Sequence, residues 1–154
     1  MSATRKLTVR RSTRDDLTAI VRIERASFGR DAWERKWFAD YLSAPGNCLF
    51  LVASRGEIVV GYALAVHNQS RSELDSIAVA PSHRGLGIAA ALMSRLNLLL
   101  RRRGVSAMML CVRQDNAAAI GLYRKLGFRR VRGINGYYDD GAPAWRMRMS
   151  FGSS

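Results

Sequence analysis

The sequence predicts an α/β fold: a mixed, largely antiparallel sheet with helices on both faces and one parallel β-α-β unit. Three observations carry this. Apolar runs with strand patterning alternate with runs at helical spacing along the chain. A glycine-rich turn, Arg84-Gly85-Leu86-Gly87, stands between a strand pattern and a strong helix former. Near the C-terminus two alternating segments flank "DDGAP", as antiparallel strands flank a turn. With 154 residues and 48% hydrophobic content, the chain suffices for one domain, residues 1–154, with a core of its own.

The elements follow in order. "LTVRR", residues 7–11, is a short first strand. In residues 12–28, Leu17, Ile20, Val21 and Ile23 make an apolar face near helical spacing, with Thr13 as candidate N-cap and Asp16 three residues on. "DAWERKWFADYL", residues 31–42, is a second, short helix. "NCLFLVAS" (47–54) and "IVVGYALAVH" (58–67) pair as a hairpin across "RGE". "ELDSIAVA" (73–80) is a strand ended by Pro81, and residues 86–103 form a long helix stopped by Gly104. "VSAMMLCV" (105–112) is a buried strand. "NAAAIGLYRKLG" (116–127) is a helix capped by Asp115 or Asn116 and stopped by Gly127. "FRRVRGINGYY" (128–138) and "AWRMRMSF" (144–151) are the last two strands. The order is β-α-α-β-β-β-α-β-α-β-β, and residues 73–112 form a parallel crossover.

The formal charge is +13, from 25 Lys+Arg against 12 Asp+Glu. Such an excess attracts polyanions (nucleic acid, a ribosome, an acidic membrane, a phosphorylated cofactor) or simply solvates the surface. There is no Lys/Arg-rich tail, and "RRR" at 101–103 suits a helix C-terminus. Cys48 and Cys111 lie in apolar runs and are expected as buried, reduced thiols. The only histidines are His67 and His83, so no metal-ligand spacing exists and no metal is expected. The N-terminus lacks an apolar signal region and no apolar run reaches membrane-span length. A soluble, cytoplasmic protein with no membrane partner is the expectation.

The turn at residues 84–87 carries the chemistry. Its glycines let backbone approach a ligand, and the following helix end offers unpaired N–H groups and a positive dipole end, which suits an anion. Arg84, Gly85, Leu86, Gly87, Ile88 and Ala89 fit the pattern [Q/R]-x-x-G-x-[G/A]. With that pattern, "IAVAPSHRGLGIAAALM" resembles the acetyl-CoA-binding core of the GNAT superfamily of N-acetyltransferases. The resemblance implies that backbone amides of this loop hold the cofactor's pyrophosphate. It also implies that main-chain groups of Ile77, Ala78 and Val79 orient the pantetheine arm. "NAAAIGLYRKLGF", residues 116–128, is similar to the second half of the same core. There an Asn contacts the cofactor arm and a Tyr near the thiol is the general acid, which by match are Asn116 and Tyr123. Without the resemblance, Asn116 is a helix cap and Tyr123 a core tyrosine.

The resemblance covers about residues 7–150 and is strongest over 73–138. "LCVRQDNAAAIGLYRKLGF", "GYYDDG" and "IERASF" are similar to the RimI-type group and the related protein N-terminal acetyltransferases. The Pro-Trp that often follows the last of these is here "DAW". In N-terminal acetyltransferases a Tyr-Tyr pair between the last strands grips the peptide; Tyr137 and Tyr138 match it, or are a sheet-edge aromatic pair. The match breaks at the base. Twelve residues before the tyrosine acid, RimI-type enzymes carry a glutamate, and here that position is Cys111. Glu73 falls where lysine-acetylating members carry their base, and Glu24 where RimI-like proteins place a glutamate near the peptide groove. Glu73 is therefore the first candidate base and Glu24 the second. Asp75, two residues on from Glu73, shares its side of the strand and is a candidate substrate contact.

These residues imply direct acetyl transfer from acetyl-CoA in a ternary complex. The acceptor implied is a protein or peptide N-terminus, a ribosomal protein in the RimI group. Nucleic acid contact would then arise only through proximity to the ribosome, with the protein a monomer or homodimer. Two other readings stay open. One is a GNAT enzyme for lysine or a small amine such as a polyamine or antibiotic. The other is a non-catalytic module binding acetyl-CoA or RNA.

Overall fold

The computed structural model describes residues 6–43 and 46–151. Among the described residues seven strands and four α-helices follow in order: β1 (Leu7–Arg11), α1 (Leu17–Phe28), α2 (Arg35–Ser43), β2 (Cys48–Arg55), β3 (Ile58–His67), β4 (Arg71–Val79), α3 (Ile88–Arg102), β5 (Ala107–Arg113), α4 (Ala117–Lys125), β6 (Arg129–Ile134) and β7 (Ala144–Ser150). The sheet order is β1-β2-β3-β4-β5-β7-β6. β1–β2, β2–β3, β5–β7 and β6–β7 pair antiparallel, and β4–β5 is parallel. The chain forms the expected mixed α/β fold.

Several boundaries differ from expectation. The second helix begins at Arg35, because Gly29–Asp31 form a short 3-10 turn and the Trp33 N–H is drawn to Glu24 instead of into a helix. The long helix begins at Ile88, since positive φ at Gly85 and Gly87 keeps residues 84–87 out of it. Thr13 does not cap α1 but a 3-10 turn, Arg14–Asp16, that precedes it. β4 starts two residues early, at Arg71, and β5 two residues late, at Ala107. β6 ends at Ile134, so Tyr137 and Tyr138 lie in the following loop instead of on a strand edge.

The chain divides into two compact units: residues up to Val66 with Asp75–Leu99, and His67–Leu74 with the chain from Leu100. In the first, α1 and Phe38 of α2 bury their apolar faces with Phe50, Val52, Tyr62 and Leu64 of the hairpin. β3 passes very close to its surroundings at Gly61. A Cβ there would stand 3.1 Å from the Ala78 carbonyl, 3.2 Å from Ile88 and 3.3 Å from Leu92. In the second unit, Met108, Leu110 and Val112 of β5 are buried, as are Met147 and Met149 of β7 and Phe128. The intervening residues Met109, Cys111 and Arg113 face the half-exposed side. Cys111 is therefore half-buried, against the expectation of two buried thiols; Cys48 is buried.

At the start of the fold, both oxygens of buried Asp16 accept from the Arg10 guanidinium at 2.9 Å, and Oδ2 also accepts the Thr13 N–H at 2.7 Å. Burial pushes this carboxyl up, but Arg10 and Thr13 outweigh it and hold the Asp16 pKa below its ordinary value.

Two stability measurements follow. A depressed carboxyl pKa contributes stability that is present above the unfolded value, near 3.9, and is lost as pH falls through the folded value. Urea unfolding of Asp16→Asn should show a loss of about 1–3 kcal/mol at pH 7 that shrinks toward pH 3. Gly61→Ala should cost about 1–3 kcal/mol at any pH, because the nearest obstacle is backbone.

Candidate active site

β4 delivers the chain to the glycine loop. Gly85 and Gly87 adopt φ of +77° and +79°, and a Cβ at either would meet nothing within 4 Å. The loop is thus shaped by left-handed backbone, with open space over it. The Gly87 carbonyl accepts the Ala91 N–H at 3.0 Å, so Gly87 is the N-cap of α3, which begins at Ile88. The amides of residues 88–90 are then unpaired first-turn donors of a 15-residue helix, preceded by the loop amides of 85–87. This arrangement suits an anionic ligand. The Arg84 side chain works differently: Nε donates to the Val79 carbonyl at 3.1 Å and a terminal nitrogen to Ser27 Oγ at 3.1 Å. Arg84 thereby braces the loop against the end of β4 and the last turn of α1. Ile88 is buried, while Leu86 is 57% exposed.

In the same unit, Glu24 is 1% exposed. Its Oε1 accepts from the Tyr62 and Ser76 hydroxyls, the latter at 2.9 Å, and its Oε2 accepts the Trp33 N–H at 3.0 Å. Asp75, on the half-exposed face of β4, accepts the Tyr41 hydroxyl at 3.1 Å. Burial and the Asp75 charge push the Tyr41 pKa to about 12. Trp33 stacks on both Tyr41 and Phe38, which fixes this corner.

The second unit gathers Glu73, Cys111, Arg146 and Tyr137. Arg146 stands directly opposite Cys111 across β5–β7, and β4–β5 pairing sets Glu73 opposite Met109. Arg146 donates to both Glu73 oxygens at 2.5 and 2.7 Å, and its guanidinium lies 3.5 Å from Cys111 Sγ. The Glu73 carboxylate raises the Arg146 pKa further. The Cys111 thiol, then burial, push the Tyr137 pKa to about 12. Tyr137 and Tyr138 meet edge to face with ring centres 5.0 Å apart. Arg113 lies 4.2 Å over the Tyr138 ring and pairs with Asp140 at 3.1 Å, which holds the loop.

Asn116 caps α4, its Oδ1 accepting the Ala119 N–H at 3.1 Å. Tyr123, on α4, is buried and packs edge to face on Phe128 at 5.9 Å. The structure thus brings Glu73, Cys111 and Tyr137 together in one unit, and Glu24 with Ser76 in the other. Arg146, Tyr62, Ser76 and Tyr41 were not anticipated. Only the alternation of "AWRMRM", with arginines on the polar side, hinted at Arg146. Among the described residues no group of three or more His, Cys, Asp or Glu could hold a metal ion, and no helix is long and apolar enough to cross a membrane.

A parallel β4–α3–β5 unit with a glycine loop at its helix start suits an anionic cofactor, and the comparisons with known proteins give the class. Residues 17–128 match the acetyltransferase (GNAT) family, and the chain belongs to that family. It is an acetyl-CoA-dependent N-acetyltransferase. Within the family it is 36% identical to the N-alpha-acetyltransferase RimI of Mycobacterium tuberculosis, over 97% of this chain and 96% of that protein. The crystal structure of the ribosomal-protein-S18-alanine N-acetyltransferase of Escherichia coli superimposes with a TM-score of 0.83 at 29% identity, covering 97% of this chain and 96% of that one. Ard1 of Thermoplasma volcanium gives 0.86 at 26% identity, covering 96% and 99%.

Because Cys111 is the main cause of the raised Tyr137 pKa, Cys111→Ala should move the Tyr137 titration from about 12 back toward the ordinary value. Phenolate absorbance or ring NMR shifts across the alkaline range would read this, with Tyr137→Phe assigning the step.

Proposed function

We propose that the chain acetylates the N-terminal α-amine of a protein, in the manner of RimI, by direct transfer in a ternary complex in the cytoplasm. The observation that carries this is the likeness to an N-alpha-acetyltransferase over 97% of the chain, joined by the Tyr137–Tyr138 pair in the loop after β6. Cys111 stands where RimI-type enzymes carry a glutamate, so the base lies elsewhere, and Glu73, oriented by Arg146, is the candidate. An α-amine also asks little of that base. At pH 7.5 about a third of an α-amine with pKa near 7.8 is already neutral, against about one in a thousand of a lysine amine. The relatives' names, N-alpha-acetyltransferase and ribosomal-protein-S18-alanine N-acetyltransferase, support the same acceptor class and make a ribosomal protein the first acceptor to test.

The roles follow residue by residue. Loop amides from Gly85 to Ala89 bind the cofactor's pyrophosphate, with Arg84 as a positioning residue. Main-chain groups of Ile77, Ala78 and Val79 orient the pantetheine arm and polarise the thioester carbonyl. The Val79 carbonyl already accepts from Arg84, so in this proposal its N–H serves that purpose. Asn116 steadies the cofactor arm while its Oδ1 caps α4. Acetyl-CoA supplies the activated acetyl group as a thioester. Tyr123 donates a proton to the leaving sulfur, and Glu73 takes up the ammonium proton, with Arg146 fixing its orientation. Tyr137 and Tyr138 grip the acceptor backbone, and Asp75 lines the acceptor path beside Tyr41. Glu24, buried and already accepting three hydrogen bonds, is a positioning residue in this scheme.

Free-thiol release from acetyl-CoA should appear with peptides bearing free N-termini and not with N-blocked peptides carrying an internal lysine. The kcat/KM should rise with pH through the α-amine pKa, near 8, and then level off. Tyr123→Phe should lower kcat by about 10²–10⁴-fold while acetyl-CoA Kd changes little. Turnover confined to the lysine peptide would overturn the proposal.

A further inference from the structure

β6 carries arginines at 129, 130 and 132, and β7 at 146 and 148. Register sets Arg129 directly opposite Arg148, and Arg132 opposite Arg146. Opposed residues share a face at Cβ separations of about 4.5–5.5 Å, where like charges repel. Four guanidinium groups therefore crowd one face of this strand pair. Arg130 is not among them: it pairs with Met147 and lies 4.7 Å over the Trp145 ring, on the other face.

The irregularity between Arg130 and Arg132 creates part of this crowding. Regular pairing would set Val131 opposite Arg146; the shifted register sets Arg132 there instead. Bulges re-aim side chains in this way beside functional sites. Of the four, Arg146 meets a carboxylate, that of Glu73. Among the described residues Arg129, Arg132 and Arg148 are exposed and have no ion pair. A strand pair that opposes cations twice, with a carboxylate on only one of the four, leaves three guanidinium groups for anions supplied from outside.

We propose that this face binds acidic side chains of the acceptor polypeptide a few residues beyond its N-terminus. The inference rests on the N-terminal acetyltransferase reading and adds a substrate class to it. Arg148 lies two residues along β7 from Arg146, about 6.6 Å, and Arg146 touches Glu73, the candidate base, and Cys111. An extended peptide advances about 3.3–3.6 Å per residue, so its third to fifth residues reach the arginines when its amine lies at Glu73. The patch spans about 10 Å along β6, which suits two or three carboxylates. Nucleic-acid affinity rests on longer runs of about 6–10 phosphate contacts. Guanidinium groups hold carboxylates with paired hydrogen bonds, and the net charge of +13 steers an acidic partner inward.

The test uses three peptides with free N-termini, identical except at residues 3–5, which are acidic, neutral or basic. For the wild type, kcat/KM for the acidic peptide should exceed the neutral one by about tenfold, mostly through KM. In Arg129→Ala/Arg148→Ala that ratio should fall to about one. Arg148→Glu should turn the preference toward the basic peptide and also raise Tm by about 1–4 °C, because Arg129 gains a partner; misfolding cannot imitate that pair of results. Equal kcat/KM for all three peptides, or a wild-type preference for the basic one, overturns the inference. Fluorescence anisotropy with the N-acetylated product peptides repeats the comparison without turnover. Should no peptide be acetylated, tighter binding of the acidic product still supports this inference and the lost turnover counts against the N-terminal acetyltransferase reading alone. Equal binding overturns the inference. If the double variant loses binding to an RNA oligonucleotide while the peptide ratios stay unchanged, the face serves nucleic acid and the proposal fails.

Discussion

A carboxylate with 1% of its surface exposed has to find its hydrogen bonds inside the protein, and Glu24 draws four segments together to do so. It sits on α1 and takes donors from the backbone before α2, from Tyr62 on β3 and from Ser76 on β4. Loss of any one donor leaves part of a buried charge unpaired. The neighbouring geometry then follows closely. Gly61, one residue before Tyr62, lets β3 lie close against the Ala78 carbonyl and α3, where a Cβ would be tight. Ala78 and Val79 lead into the loop, and Arg84 reaches back to Val79. Apolar packing supplies the bulk of the stabilisation in this unit. The buried carboxylate selects which of many similar packings the hairpin and α1 adopt.

The second unit is organised by a different charge. Arg146 arrives opposite Cys111 only because β7 lies between β5 and β6. A chain running β5, β6, β7 in spatial order would leave that guanidinium beyond reach of Glu73. With β7 in the central slot, one cation spans the polar face from β4 to β5, neutralising Glu73 and lying against the thiol. Tyr137 closes the same cluster from the loop after β6. Its hydroxyl is neutral at working pH, so it offers a hydrogen-bonding group rather than a charge.

What was legible in the sequence was local. The glycine loop, the Asn116 cap and most element positions follow from backbone chemistry and periodicity within a dozen residues. Tyr137 and Tyr138 were misplaced because "GINGYY" continues an alternating pattern, although Gly136 adopts φ of +61° and the strand stops before it. The start of α2 was misplaced because a buried glutamate nine residues upstream in the chain claims the Trp33 N–H, which no propensity records. Arg146 was missed because register between strands more than thirty residues apart has no sequence signature. The opposed arginines were equally hidden: "FRRVR" and "WRMRM" look like ordinary charged edge strands until the shifted register sets Arg132 across from Arg146.

Charge on the polar side of β4, β5, β7 and β6 is thus distributed unevenly, and the unevenness carries a functional logic. Around Glu73 it is balanced: one carboxylate meets one guanidinium, beside a thiol and a phenol. One step along β7, at Arg148 and its opposite number Arg129, the balance ends and cations face cations. Such an arrangement lowers the stability of the free protein and raises the gain on meeting an anion, because binding then relieves repulsion as well as forming new pairs. The two arrangements differ in what remains to be gained: around Glu73 the charges are already met inside the protein, and at Arg148 and Arg129 they are met only by solvent or an added anion.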